Sequence, residues 1–258
     1  MPYVRIDDPI PGKCGIMGRG GLAVTQMIRP IGAVIVLTAL AQGLAACASG
    51  SSQSPPAPAV TALTDLPAPS LSAELSLEEA LASRRSVRDY DDEPLTTTEI
   101  GQLLWATQGI TGEQGYRTAP SAGALYPLEI YLLTADGVFH YDPRQHKLTR
   151  TSETDARPAL YQAALRQEPI VVAPADFVVT AVYGRTAQKY GEQRGNRYVH
   201  LEAGHAAQNL LLQATAMGLG AVPIGAFNDE EVQQALGLSA HYQPIYLIPV
   251  GHPGSPDR

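Results

Sequence analysis

The chain has 258 residues and a formal net charge of −7, so no overall positive field exists to draw in nucleic acid or an anionic membrane surface. Its two cysteines, Cys14 and Cys47, lie near the front, which leaves the later part with neither a disulfide nor a thiolate metal site. The front and the rest differ so much in composition that they are read separately, and residues 76–258 hold enough mixed apolar and charged sequence for one core.

The front end reads as an address. From Met27 the sequence runs MIRPIGAVIVLTALAQGLAACASG: one arginine, an apolar run from Ile31 to Leu44, then small residues. That order marks an export signal over 27–46, short for a hydrocarbon core of about 30 Å and followed by no basic stop-transfer cluster. Leu44-Ala45-Ala46-Cys47 resembles the lipobox of bacterial lipoproteins, in which cleavage exposes the cysteine for lipid attachment. The competing reading is ordinary cleavage after Ala48, because Ala46-Cys47-Ala48 also fits a small-x-small site. Lipid on Cys47 would place the protein in the cell envelope, membrane-anchored on the periplasmic face. Residues 1–26 are expected to be an over-extended start ahead of Met27. The G-x-G-x-x-A match of Gly18 to Ala23 is then chance, since no strand precedes it and no βαβ unit surrounds it. Residues 47–75, rich in Ser, Pro and Ala, read as an extended tether.

Within 76–258, Ser76-Leu77-Glu78-Glu79 is a capping box that starts a helix running into Arg84, and Thr96-Thr97-Thr98-Glu99 starts a second. Ile100, Leu103, Leu104 and Thr107 share one face of that second helix. The glycine- and proline-dotted stretch 108–127 is a long loop, and long loops in compact domains commonly carry function. Residues 129–133 and 138–141 form a hairpin about Asp136-Gly137, and 177–183 is a buried strand. The longest helix spans about Arg197 to Met217, with Gly218 beyond it as a cap. A short strand near Ala221-Val222, a helix begun by Asn228 or Asp229 and a last strand 245–248 follow. The order is α+β rather than a regular βαβ alternation.

The G-x-S-x-G, S-x-x-K and H-E-x-x-H hydrolase patterns do not occur. His200 and His205 are five positions apart, which on a helix sends them to different faces, so with Glu202 they make a poor ligand set and no metal is expected. The stretch RRSVRDYDDEP sets Arg84, Arg85 and Arg88 around Ser86. Cations at a helix C-terminus offset its partial negative charge, which is one reading. Forked donors beside a hydroxyl also suit a phosphate or other oxyanion, which is the other. The acids that follow either neutralise these arginines or face solvent.

Four blocks occur in order: RRSVRDYDDEPL, APSAGALYPLEIYL, LEAGHAAQNLLLQATAMGLGAVPIGAF and YLIPVGHP. Together they resemble the FMN-dependent nitroreductase family, and LLWATQGIT and PSAGALYP are similar to its SagB/thiazoline oxidase subgroup. The resemblance implies a nitroreductase-like α+β fold, a mixed central sheet flanked by helices, built as an intertwined homodimer with FMN in clefts between subunits. It implies that Arg84, Arg85 and Ser86 hold the phosphate and ribityl chain and that Arg88 approaches the ring. It also implies that Pro120, Ser121, Ala122 and Gly123 line the flavin, and that Pro223, Ile224 and Gly225 pack on the ring. Lys189-Tyr190 resembles the catalytic Lys-Tyr pair of azoline oxidases, the alternative being an exposed loop lysine beside a packing tyrosine. Many relatives close the phosphate site with a basic residue after the last strand, a place for which Arg258 is the candidate. The implied activity is hydride transfer between an organic substrate and FMN. NAD(P)H-dependent nitro or quinone reduction and a non-catalytic ligand-binding lipoprotein are the alternatives. An exported enzyme is expected to take electrons from its substrate or a membrane redox partner, since NAD(P)H is scarce outside the cytoplasm.

Overall fold

The computed structural model describes residues 63–254, all of them in the compact unit Gln53–Arg258. The export signal, Cys47 and Arg258 lie outside the described residues.

Both capping boxes form. Ser76 and Glu79 exchange side-chain and backbone hydrogen bonds at the start of helix α1 (Leu77–Ser83), and Thr96 and Glu99 do the same for α2 (Thr97–Gln108). Each cap stabilises its helix by about 1 kcal/mol. The hairpin closes through the Thr134–Gly137 pair, joining β2 (Leu128–Thr134) to β3 (Gly137–Asp142). A third strand, β4 (Lys147–Ser152), extends it. Helices α3 (Arg157–Ala163) and α4 (Pro169–Val172) lead to β5 (Ala175–Ala181). Then come α5 (Tyr183–Tyr190), α6 (Glu192–Ala216), β6 (Gly220–Ala221), α7 (Asp229–Leu236) and β7 (Gln243–Gly251).

Residues 63–75, expected in the tether, belong to the fold instead. Leu63–Asp65 forms strand β1 against β4, fixed by a Lys147–Asp65 ion pair at 2.9 Å. Further on, the Ser70 N–H donates to Gln102 Oε1 at 2.8 Å and Gln102 Nε2 returns to the Ser70 carbonyl at 3.1 Å. Composition missed this because the stabilisation comes from a strand edge and a buried glutamine far along the chain.

The described strands make one seven-stranded sheet in the order β1-β4-β3-β2-β5-β7-β6. Every pairing between these strands is antiparallel, and the sheet is mixed only through a parallel bridge of Ser86 to Ala221. Central β5 is buried along its whole length because both faces of the sheet are covered. Phe177 and Val179 join Leu103, Leu104, Val199 and Leu210 of α2 and α6 on one face. Val178 joins Leu160, Ile170, Val232 and Leu236 of α3, α4 and α7 on the other. This two-period alternation stacks α6 against the sheet and so aims the α6 face bearing Glu202 under the long loop.

Candidate functional site

The arginine segment leaves α1 at Arg84 and runs beside β6. Ser86 bridges Ala221, and the Val87 N–H donates to the Ala221 carbonyl at 3.1 Å. The approach needs Gly220, where a Cβ would stand 2.6 Å from Val87 Cγ1. Tyr90 fastens the far end, its hydroxyl donating to the carbonyls of Val87 at 2.7 Å and Pro249 at 3.2 Å. Burial holds that hydroxyl well above the usual tyrosine range, the nearby Asp176 carboxyl adding to the effect.

The arginines divide between the two readings. Arg85 Nη1 donates to the Ala82 carbonyl at 3.0 Å and the Arg84 carbonyl at 2.8 Å, satisfying the C-terminal end of α1. Among the described residues, neither Arg84, Arg85 nor Arg88 pairs with a carboxylate, and Asp89, Asp92 and Glu93 are exposed. The acids therefore do not quench the guanidinium groups, whose remaining donors are available to an anion.

β6 continues into Pro223-Ile224-Gly225. The Ile224 N–H donates to the Leu247 carbonyl at 2.8 Å and the Ile224 carbonyl accepts from Leu247 at 3.0 Å. A Cβ on Gly225 would meet nothing within 4 Å, and this glycine lines a cleft of about 650 Å³ with Tyr183, Ala187, His200 and Phe227. One short strand thus brings the first block and the PIG segment together, with open space beside the Gly225 backbone. The free guanidinium donors suit an anion, and the open backbone of Gly225 admits close approach of a ligand.

A second cluster forms at Pro120-Ser121-Ala122-Gly123. The chain turns tightly here, with positive φ at Gly123 (65°), Ala124 (53°) and Tyr126 (46°). For the alanine and tyrosine this costs on the order of 1 kcal/mol or more each, so the surroundings must hold them. Ser121 Oγ accepts the Tyr126 N–H at 3.0 Å. From α5, Arg185 donates to the Tyr126 carbonyl at 3.0 Å and pairs with Glu129, which also bonds His140 Nε2 at 2.7 Å.

Lys189 and Tyr190 end the same helix, one turn beyond Arg185, rather than lying in a loop. A Cβ on Gly123 would stand 2.7 Å from Tyr190 Oη and 2.9 Å from Lys189 Nζ. The structure therefore packs the PSAG loop directly on the Lys-Tyr pair. Tyr190 is fixed edge-on against Tyr198 with ring centroids 5.0 Å apart, while Lys189 is exposed. No hydrogen bond or ion pair among the described residues links this cluster to residues 84–88 or 223–225.

Sequence reasoning missed α5, Arg185 and the role of Glu202. Arg185 and Lys189 are four apart, a spacing that puts them on one helix face. Glu202 stands among Val199, Ala203 and Ala206 on the buried stripe of α6, where an acid is exceptional. Burial raises its pKa to about 7, against the pull of a Ser121 hydrogen bond, the Arg117 charge and Gln108. His200, by contrast, is exposed and bonds the Tyr183 hydroxyl at 2.6 Å. Among the described residues no three His, Cys, Asp or Glu side chains gather as a metal site, and no helix is long and apolar enough to cross a membrane.

A sheet covered on both faces by these helices is the nitroreductase-like fold. The solved structure of a candidate nitroreductase from Ralstonia eutropha JMP134 matches it with a TM-score of 0.66 at 27% identity, over 76% of this chain and 92% of that one. The sequence model of the Nitroreductase family matches residues 81–252, and the chain belongs to that family of oxidoreductases. A candidate nitroreductase of Methanocaldococcus jannaschii is 45% identical over 184 residues, 69% of this chain and 91% of that protein. The trifolitoxin-processing protein TfxB of Rhizobium leguminosarum bv. trifolii is 31% identical over 122 residues, 42% of this chain and 32% of that protein. An FMN reductase (NADPH) of Bacillus subtilis is 24% identical over 191 residues, 69% of this chain and 66% of that protein.

Proposed function

We propose that this chain is an FMN-dependent oxidoreductase of SagB type that moves hydride between an organic substrate and flavin. The observation that carries the reading is the Ser86–Ala221 bridge, which seats a strap of arginines without a described carboxylate partner on β6, the strand that continues into Pro223-Ile224-Gly225. Arg84 and Ser86, with the free donors of Arg85, hold the phosphate. Arg88 places positive charge near the ring, and Pro223 to Gly225 pack on it. FMN, when bound, supplies the hydride acceptor or donor. Residues 120–123 cover the flavin with small side chains, and Lys189 and Tyr190 hold and move the proton at the substrate heteroatom as its C–H bond breaks. The packing of Gly123 on both residues and the likeness to the trifolitoxin-processing protein TfxB support SagB-type chemistry over general nitro reduction.

The two clusters belong to one site if two copies pair, one supplying residues 84–88 and 223–225 and the other supplying 120–123 with the Lys-Tyr pair. Lipid on Cys47 anchors this homodimer in the cell envelope, where a substrate or a membrane redox partner feeds it electrons. The second reading, an NAD(P)H-dependent reductase, is favoured by the NADPH named for the Bacillus subtilis relative.

Titrating purified protein with FMN while following the flavin absorbance tests the assignment. Arg84→Ala should weaken binding roughly 10- to 100-fold, the value of a charge-assisted hydrogen bond of about 1.5–3 kcal/mol. Arg88→Ala should leave binding nearly intact and lower the flavin midpoint potential. Unchanged affinity in the first variant or an unchanged potential in the second would remove the corresponding role. Rapid bleaching by NAD(P)H would favour the reductase reading.

A further inference from the structure

The mechanism above leaves one buried acid without a task. Glu202 is 2% exposed, and Ser121 of the PSAG loop is among the groups that act on its pKa. Its partners arrive from three segments. Gln108 of α2 donates from Nε2 to Glu202 Oε1 at 3.5 Å, while the Ser121 hydroxyl of the loop and the Arg117 charge both act to lower its pKa. On its own helix His205 is exposed to solvent. Arg117 is itself committed: Nη1 donates to Gln108 Oε1 at 2.8 Å, and the guanidinium lies 4.5 Å from the centre of the Tyr126 ring.

These contacts reach the strained part of the loop by two routes. One passes through the Ser121 hydroxyl, whose oxygen also accepts the Tyr126 N–H at 3.0 Å. The other passes through Arg117 to the Tyr126 ring. Tyr126 has a φ of 46°, a conformation a tyrosine keeps only when its neighbours impose it.

We infer that Glu202 is a positioning residue, setting residues 120–126 from below so that gain or loss of its proton tightens or loosens the loop that covers the flavin. As a carboxylate it fixes the Ser121 hydroxyl hydrogen downward and leaves the oxygen free to accept from Tyr126. As a neutral acid it is a weaker acceptor for Ser121 and no longer attracts Arg117, so both supports of Tyr126 slacken together. Because burial raises the pKa to about 7, the change falls in the neutral range. The effect on flavin rests on the FMN reading above; the effect on the loop does not.

The two are separated by following the Tyr126 amide by NMR in flavin-free protein across neutral pH, then repeating FMN titrations at each pH. In the wild type the Tyr126 amide should titrate, and FMN affinity should fall about tenfold on acidification through the same transition. In Glu202→Gln, which keeps the shape but cannot ionise, both should be flat and match the acid form. Ser121→Ala, a control should that variant fold poorly, should cut the coupling of affinity to pH while Glu202 still titrates. A Tyr126 amide indifferent to pH in the wild type, or an affinity change that persists in Glu202→Gln, overturns the inference. A titrating amide with no FMN binding at any pH supports the positioning role and sinks the flavin reading alone.

Discussion

Two buried acids make the stability of this domain depend on pH in the unusual direction. The folded state keeps Glu202 protonated up to about pH 7, whereas in the unfolded chain it ionises near the ordinary glutamate value of 4.5. Between those values the folded state binds more protons, so stability contributed by this group is greatest in acid and declines as pH rises through the folded pKa. Glu202→Gln removes that slope, and its unfolding free energy in urea should gain on the wild type by roughly 2–3 kcal/mol between pH 5 and pH 8, at about 1.4 kcal/mol per pH unit over the span where the proton is lost. Asp176 acts in the same sense. It is fully buried on β5, neither carboxylate oxygen has a hydrogen-bond partner, and burial raises its pKa well above the usual range. Arg157 lies near but is spent on Asp155 and the Ala173 carbonyl. Asp176→Val should therefore stabilise the fold by about 1–3 kcal/mol at neutral pH, with the gain shrinking in acid, as read by urea unfolding.

Helix α5 carries the loop's clamp and the Lys-Tyr pair, so its seating on α6 matters more than its length suggests. Gly184 and Thr186 weaken its intrinsic helicity, and its sequence offers no capping side chain. Packing decides instead: a Cβ on Gly195 of α6 would stand 2.9 Å from the Ala187 Cα, so the two backbones touch. Gly195→Ala should push α5 outward, cost about 1–3 kcal/mol in urea unfolding and lower turnover. On the proposed FMN site, binding through Arg84 should change little, since Arg84 and β6 lie on other elements. The same reasoning explains what was legible in the sequence. The capping boxes and the hairpin are local devices, encoded in three or four adjacent residues. Strands β1 and β4 and helices α3 and α5 were not foreseen, because their stability comes from distant partners.

At the scale of the whole molecule, the exposed leucines point to a second copy. Leu77 and Leu81, one turn apart on α1, are 60% and 55% exposed, and Leu201 on α6 is 54% exposed. We expect dimers in sedimentation equilibrium and predict, on the proposed two-copy site, that Leu201→Glu yields monomers with weakened FMN binding. A Leu201→Glu monomer that binds FMN as tightly as the wild type would show that one protomer holds the whole site.

Four ordered blocks made the family legible in the sequence, which also nominated Arg84 to Arg88, residues 120–123, Lys189-Tyr190 and residues 223–225, though not Arg185 or Glu129. What it left open was which blocks meet. Arg84 to Arg88 could have closed a helix or met an anion; the Gly220 contact with Val87 draws this strap onto β6 and leaves its guanidinium groups without a described carboxylate partner. Lys189 and Tyr190 could have been loop residues, and the backbone contact of α5 with α6 sets them on Gly123. Glu202 read as one position between two histidines, and only burial, which outweighs the opposing pull of Ser121, Arg117 and Gln108, gives it a proton to hold near neutrality. Local pattern records which face of an element is apolar; strand register and helix packing decide which polar residues those faces carry into contact, and burial then sets their chemistry.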